Sequence, residues 1–176
     1  MSLNAPLWRD SNHYPVQIGG VVSRKSQTLS GSNTTVATSL FRITGSVQVV
    51  ALYGVVTTDL GANNTAAYWR LNDQTAQVDI TLATGTTLSA IKAGSVIVKK
   101  GLAAAALTLL NNSAGRVSEP TTLETTYFSP FVAVKKTAAN TDIEFVYTTT
   151  DTPTSGVIQH FVVWLPISQD AAVAAQ

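Results

Sequence analysis

Residues 46–58 read SVQVVALYGVVTT, and this stretch decides the fold class. It is dominated by Val with Tyr53, Thr57 and Thr58, types that fit a pleated sheet and lose rotamer freedom in a helix. At a period of two, Val47, Val49, Ala51, Tyr53 and Val55 share one face. The other face starts with Ser46 and Gln48 and continues with Val50, Leu52 and Val56. The reading is a strand that is apolar on both sides along most of its length.

Outward from this strand the same grammar repeats. Gly45 separates it from a run at Thr38–Thr44, and Ser30–Asn33 is a turn cluster preceded by a strand near Val16–Val22. Beyond the Gly61–Asn64 turn come short runs at Thr65–Leu71 and Ala76–Leu82, then Ser95–Lys99. Leu88–Ile91 reads as a helical turn, and Ala103–Ala106 favours helix by propensity but has no polar face. The last third carries strands at Thr121–Phe128, Phe131–Lys135, Asp142–Thr149 and Gly156–Pro166. In Asp142–Thr149 the residues Ile143, Phe145 and Tyr147 fall on one face. In Gly156–Pro166 both faces are apolar: Val157, Phe161, Val163 and Leu165 against Ile158, Val162 and Trp164. About eight to ten short strands with turns at this spacing predict an all-β antiparallel sandwich or jelly roll. One domain spans residues 16–168, after an extended arm over 1–15 and before a loosely held, Ala-rich tail over 169–176.

Composition agrees. The chain has 176 residues, including 25 Thr and 20 Val, about a quarter of the total in two β-branched types. A chain of this length buries enough surface to fold without staples, and zero Cys rules out disulfides, thiolate catalysis and Cys-based metal sites. Charged residues make up 12%, about half the usual share of a soluble domain. A net charge of +1 gives no field for nucleic acid or an anionic membrane, so neither is an expected partner. The longest apolar stretch, Leu102–Leu110, is far below the ~20 residues of a spanning helix, and residues 1–14 contain no apolar run of a secretory signal. So little charge, with positive mean hydropathy, suits a chain that hides surface against copies of itself or a partner.

Motifs for chemistry are missing. His13 and His160 lie far apart, and no zinc-binding, nucleophile-elbow or phosphate-loop pattern occurs. His160 shares its face with Ile158, Val162 and Trp164 and reads as a hydrogen-bonded core histidine. Glu119 with Glu124, or Asp142 with Glu144, are acid pairs that can be nominated for glycoside chemistry. Alternation already explains Asp142 and Glu144 as the solvent side of a strand. The sequence therefore predicts no catalytic residue, no metal and no cofactor. Tyr68 and Trp69 follow a turn and are candidates for stacking on a sugar, the basis of a carbohydrate-binding or host-attachment alternative; the plainer reading is core for Trp69 and a subunit contact for Tyr68. Lys99-Lys100 and Lys135-Lys136 read as gatekeeping charges at strand ends, and with Arg24-Lys25 as candidate docking points for an acidic partner.

The stretches Thr38–Gly45 (TSLFRITG) and Ala51–Thr58 (ALYGVVTT), with the closing run Gly156–Ser168, resemble small virion structural proteins of tailed bacteriophages. The likeness follows the order of elements over roughly residues 16–168 and departs from the pattern between Leu88 and Leu110. It implies a non-enzymatic head decoration or cement protein with a jelly-roll-like body, made in the host cytoplasm and located on the capsid surface. Its expected partners are itself, as a trimer, and the major capsid protein. Two-faced strands place the expected oligomer interface at Val50, Leu52, Val56, Val162 and Trp164, because one sandwich has one interior. Leu3, Leu7 and Trp8 of the arm are the expected contact to a neighbour.

Overall fold

Strands form along the β-branched runs, and among the described residues there is no helix. The architecture comes from a computed structural model that describes residues 20–62, 64–83, 86–101, 105–110, 130–136, 139–150 and 156–176. Eleven strands are described: β1 (Val21–Thr28), β2 (Thr35–Thr44), β3 (Ser46–Thr58), β4 (Asn64–Asn72), β5 (Gln77–Asp79), β6 (Val96–Val98), β7 (Thr108–Leu110), β8 (Phe131–Val134), β9 (Thr141–Thr149), β10 (Val157–Pro166) and β11 (Ala172–Ala175).

They build two antiparallel sheets. One runs β1-β10-β3-β6-β7, with β8 also pairing β3; the other runs β11-β2-β9-β4-β5. The pairs β1–β10, β2–β9, β3–β6 and β4–β5 are nested, each antiparallel. The second edge of β3 is shared: residues 53–55 pair with β6 and residues 46–49 with β8. Consecutive strands β2 and β3 belong to different sheets, and Gly45 makes the corner at φ +63°. A Cβ there would collide with Ser168 Oγ, so this corner needs glycine for both backbone and space.

Between the sheets lies a core of Phe41, Ile43, Leu52, Trp69, Phe145 and Ile158, all at most 1% exposed, among others. Strand β9, between β2 and β4, alternates as its sequence requires: Ile143, Phe145 and Tyr147 face the core. Tyr147 also pins the turn after β1, its hydroxyl donating to the Ser30 carbonyl at 2.9 Å and accepting from the Ser30 amide at 3.0 Å.

Strict alternation fails in β3. Val163 of β10 pairs with Ala51 but Trp164 pairs with Val49, so Val50 is an extra residue, a β-bulge. One inserted residue flips every later side chain to the other face. Val47 and Val49 therefore point inward before the bulge, and Leu52, Gly54 and Val56 point inward after it. The strand that reads as two-faced is mostly a single apolar face that changes parity at Val50.

Two other expectations are corrected. The tail is not loose: Ala172–Ala175 pairs with β2 as β11, Val173 is buried in the core, and the Gln176 amide donates to Leu40 O. Four backbone rungs at a sheet edge hold an Ala-rich segment whose own β propensity is low. Leu88–Ile91 is not a helical turn, since Ala90 lies at φ +55°. The first described strand is Val21–Thr28, and residues 16–19 of the expected strand near Val16–Val22 lie outside the described residues. The arm with Leu3, Leu7 and Trp8, the Glu119–Glu124 pair, the run Thr121–Phe128 and residues 102–104 lie outside the described residues.

Candidate functional site

Asp142 and Glu144 project from β9 on the side away from the core, yet are only 6% and 7% exposed. Cross-strand neighbours account for that. Arg42 on β2 donates to Asp142 through Nε at 2.9 Å and through a terminal nitrogen at 3.0 Å. Arg70 on β4 donates to Glu144 Oε2 at 2.7 Å, and Asn72 to Oε1 at 2.9 Å. The expected solvent side is thus a row of two buried carboxylates, held by the partly exposed Arg42 and by the mostly buried Arg70, that ties β2, β9 and β4 together. A bidentate guanidinium on one carboxylate, and an Arg with an Asn on the other, occupy the oxygens a glycosidase needs at its substrate. Arg70→Leu is expected to lower stability by about 3 kcal/mol, because it strands a buried carboxylate. The double variant Arg70→Leu/Glu144→Leu should recover most of the loss in urea unfolding; a recovery of nothing would mean the pair is not the cause.

His160 faces inward from β10 and is fully buried. Its Nε2 lies 3.0 Å from Gln27 Oε1, and Gln27 in turn donates to Thr38 Oγ1 at 2.9 Å. The ring packs 4.8 Å from Phe145 and edge-on to Trp69 at 6.1 Å. Burial alone pulls its pKa down to about 3, so the side chain is neutral at pH 7. It is the hydrogen-bonded core histidine that its neighbours predict. Trp69 is likewise fully buried and has no ring face for a sugar; Tyr68, on the other side of β4, is partly exposed.

The residues expected at an oligomer interface divide. Leu52, Val56, Val162 and Trp164 are in the core, with Trp164 Nε1 donating to Ser23 Oγ at 3.2 Å, and only Val50 is partly exposed. The outward side of this sheet is nevertheless apolar, with a different membership. Val22, Val163 and Ala51 form one cross-strand row; Arg24, Phe161, Tyr53 and Val98 form the next; Ser26, Gln159, Val55 and Val96 form a third, with Ala51 and Val98 buried and Tyr53, Val55, Phe161 and Val163 partly buried. Tyr53 and Phe161 stack at 4.9 Å with their planes 9° apart. Val22 is 55% exposed, and on β8 Val132 and Val134 are 59% and 55% exposed. Arg24 is the one charge in those three rows.

Sequence reading missed Tyr53, Phe161, Val163 and Val22 as the outward set. Both faces of β10 are equally apolar by composition. Arg24 was the available signal, but it marks the outer side only once β1 is in register with β10 at Phe161.

The basic pairs also divide. Lys136 forms an ion pair with Asp73 at 3.1 Å, while Lys99 is no gatekeeper: it is 4% exposed. Among the described residues no cluster of His, Asp or Glu is placed to hold a metal ion. Comparisons with protein-family models, with curated proteins and with solved structures give no match to this chain.

Proposed function

We propose that this chain is a non-enzymatic structural protein of an assembled shell, a virion decoration or cement protein on the capsid surface. The observation that carries the reading is the outward face of the β1-β10-β3-β6 sheet. Its centre is a stacked Tyr53–Phe161 pair flanked by Val22, Val55 and Val163. A contiguous apolar face of this kind marks an interaction surface, and aromatic residues are enriched at the centre of such interfaces.

Two further points support it. The nested pairs β1–β10, β2–β9, β3–β6 and β4–β5 follow from rolling up one long antiparallel hairpin, the pattern of a jelly roll with β7, β8 and β11 as additions. That architecture is common in viral capsid and lectin domains. Residues 38–58 and 156–168 are similar to small phage virion proteins, which favours the capsid reading over the lectin one. Self-association through the apolar face gives a closed ring, and a trimer matches three-fold positions on an icosahedral shell. Many weak contacts to the major capsid protein then stabilise the head by mass action.

Purified particles are expected to contain this protein in stoichiometric amounts, and light scattering at micromolar concentration to show a trimer. Absence from particles, with full recovery in the host cytosol, would sink the virion reading. A monodisperse monomer would refute the self-association.

A further inference from the structure

Along the second edge of β3, pairing passes from β6 to β8. The Lys99 amide donates to the Leu52 carbonyl at 2.9 Å on one side of that passage, and Phe131 pairs with Val49 on the other. The β3 bulge at Val50 falls between them. A cavity of about 260 Å³ lies here, between the two sheets. Leu71, Val78 and Ile80 line it from one sheet, Phe131 and Ala133 from the other.

Lys99 is the anomaly in this wall. Ile97 pairs with Gly54 and faces inward, so alternation turns Lys99 inward as well. Among the described residues its side chain meets one acceptor, the Gly101 carbonyl at 2.7 Å from Nζ, and one ring, Phe131 at 5.5 Å. No carboxylate among the described residues forms an ion pair with it; Asp79, exposed, lines the same cavity without doing so. An ammonium carries three donors, and buried charges are normally paired. Burial accordingly pulls the Lys99 amine below its ordinary value.

We propose that this cavity binds a small apolar monocarboxylate, its anion paired with Lys99 and its hydrocarbon body between the sheets. Size limits the ligand, since the space lies below the ~300–1,000 Å³ of ordinary ligand pockets. One ammonium among apolar walls matches a single negative charge better than a dianion such as phosphate.

The test is calorimetric titration of the intact protein with benzoate and with 4-methylpentanoate, each beside its uncharged amide. The acids should bind saturably and the amides about tenfold more weakly or worse. Lys99→Met keeps the apolar stem and removes a buried charge, so it should fold at least as stably and lose acid binding by about tenfold or more. Equal binding of acid and amide by the unmodified protein would overturn the proposal, and that comparison needs no variant to fold. So would undiminished binding by a folded Lys99→Met, or no heat with the unmodified protein at about 10 mM acid.

Discussion

Leu52→Asp is expected to abolish folding, whereas Phe161→Asp, on the adjacent strand, is expected to leave a folded chain that no longer self-associates. Leu52 is 1% exposed and pairs with Val162, also in the core. Truncating a buried leucine costs about 2–5 kcal/mol, and an unpaired carboxylate in its place costs several more. Against a typical total of ~5–15 kcal/mol, that is enough to unfold the chain. Phe161 faces outward, between Arg24 on β1 and Tyr53 on β3. An aspartate there meets water and a guanidinium in the free chain, at the loss of a ring stack worth about 1 kcal/mol. In the assembled interface the same carboxylate is buried. Circular dichroism with light scattering reads both outcomes. A folded Leu52→Asp would overturn the parity change at Val50, and a Phe161→Asp that stays oligomeric would remove the outward face from the interface.

Stability should fall as the pH drops from neutral toward 4.5, by about 2–3 kcal/mol through His160 alone. The folded pKa is about 3 against 6.5 for an unperturbed histidine, with desolvation as the cause. Between those values the unfolded chain takes up a proton that the native chain refuses, so stability decreases as pH falls, by ~1.4 kcal/mol per unit. Above pH 6.5 the histidine contributes no slope. Asp73 is held low by the Ala76 and Thr75 amides and by Lys136, and Asp59 by Lys92 and the Ala93 amide. Their contributions are present above the ordinary carboxylate range and are lost below it, a separate and more acidic window. Urea midpoints at pH 7 and 4.5 isolate the histidine effect. His160→Gln, which keeps a hydrogen-bonding group beside Gln27, should flatten the difference. An equal pH dependence in both proteins would assign it elsewhere.

Much of this molecule was legible in its residues because alternation is local. Val and Thr runs interrupted by Gly45, Ser30–Asn33 and Gly61–Asn64 mark strands and corners without reference to any partner. In β9 the order Ile143, Phe145, Tyr147 already marks the core side, opposite Asp142, Glu144 and Val146. His160 among Ile158, Val162 and Trp164 already reads as buried.

Other features were decided only when strands met. The bulge at Val50 is defined by a mismatch with β10, and it moved Leu52 and Val56 from the expected interface into the core. Val162 and Trp164 exchanged roles with Phe161 and Val163 for the related reason that two equally apolar faces have no inside until the second sheet covers one. Ala172–Ala175 became a strand because β2 offered a free edge, not because its residues prefer one. Lys99 turned inward because its register on Leu52 is inherited from Ile97 and Gly54. Periodicity along one chain is intrinsic to the sequence; parity, facing and edge pairing are relations between segments distant in it, and only the packed tertiary structure supplies them.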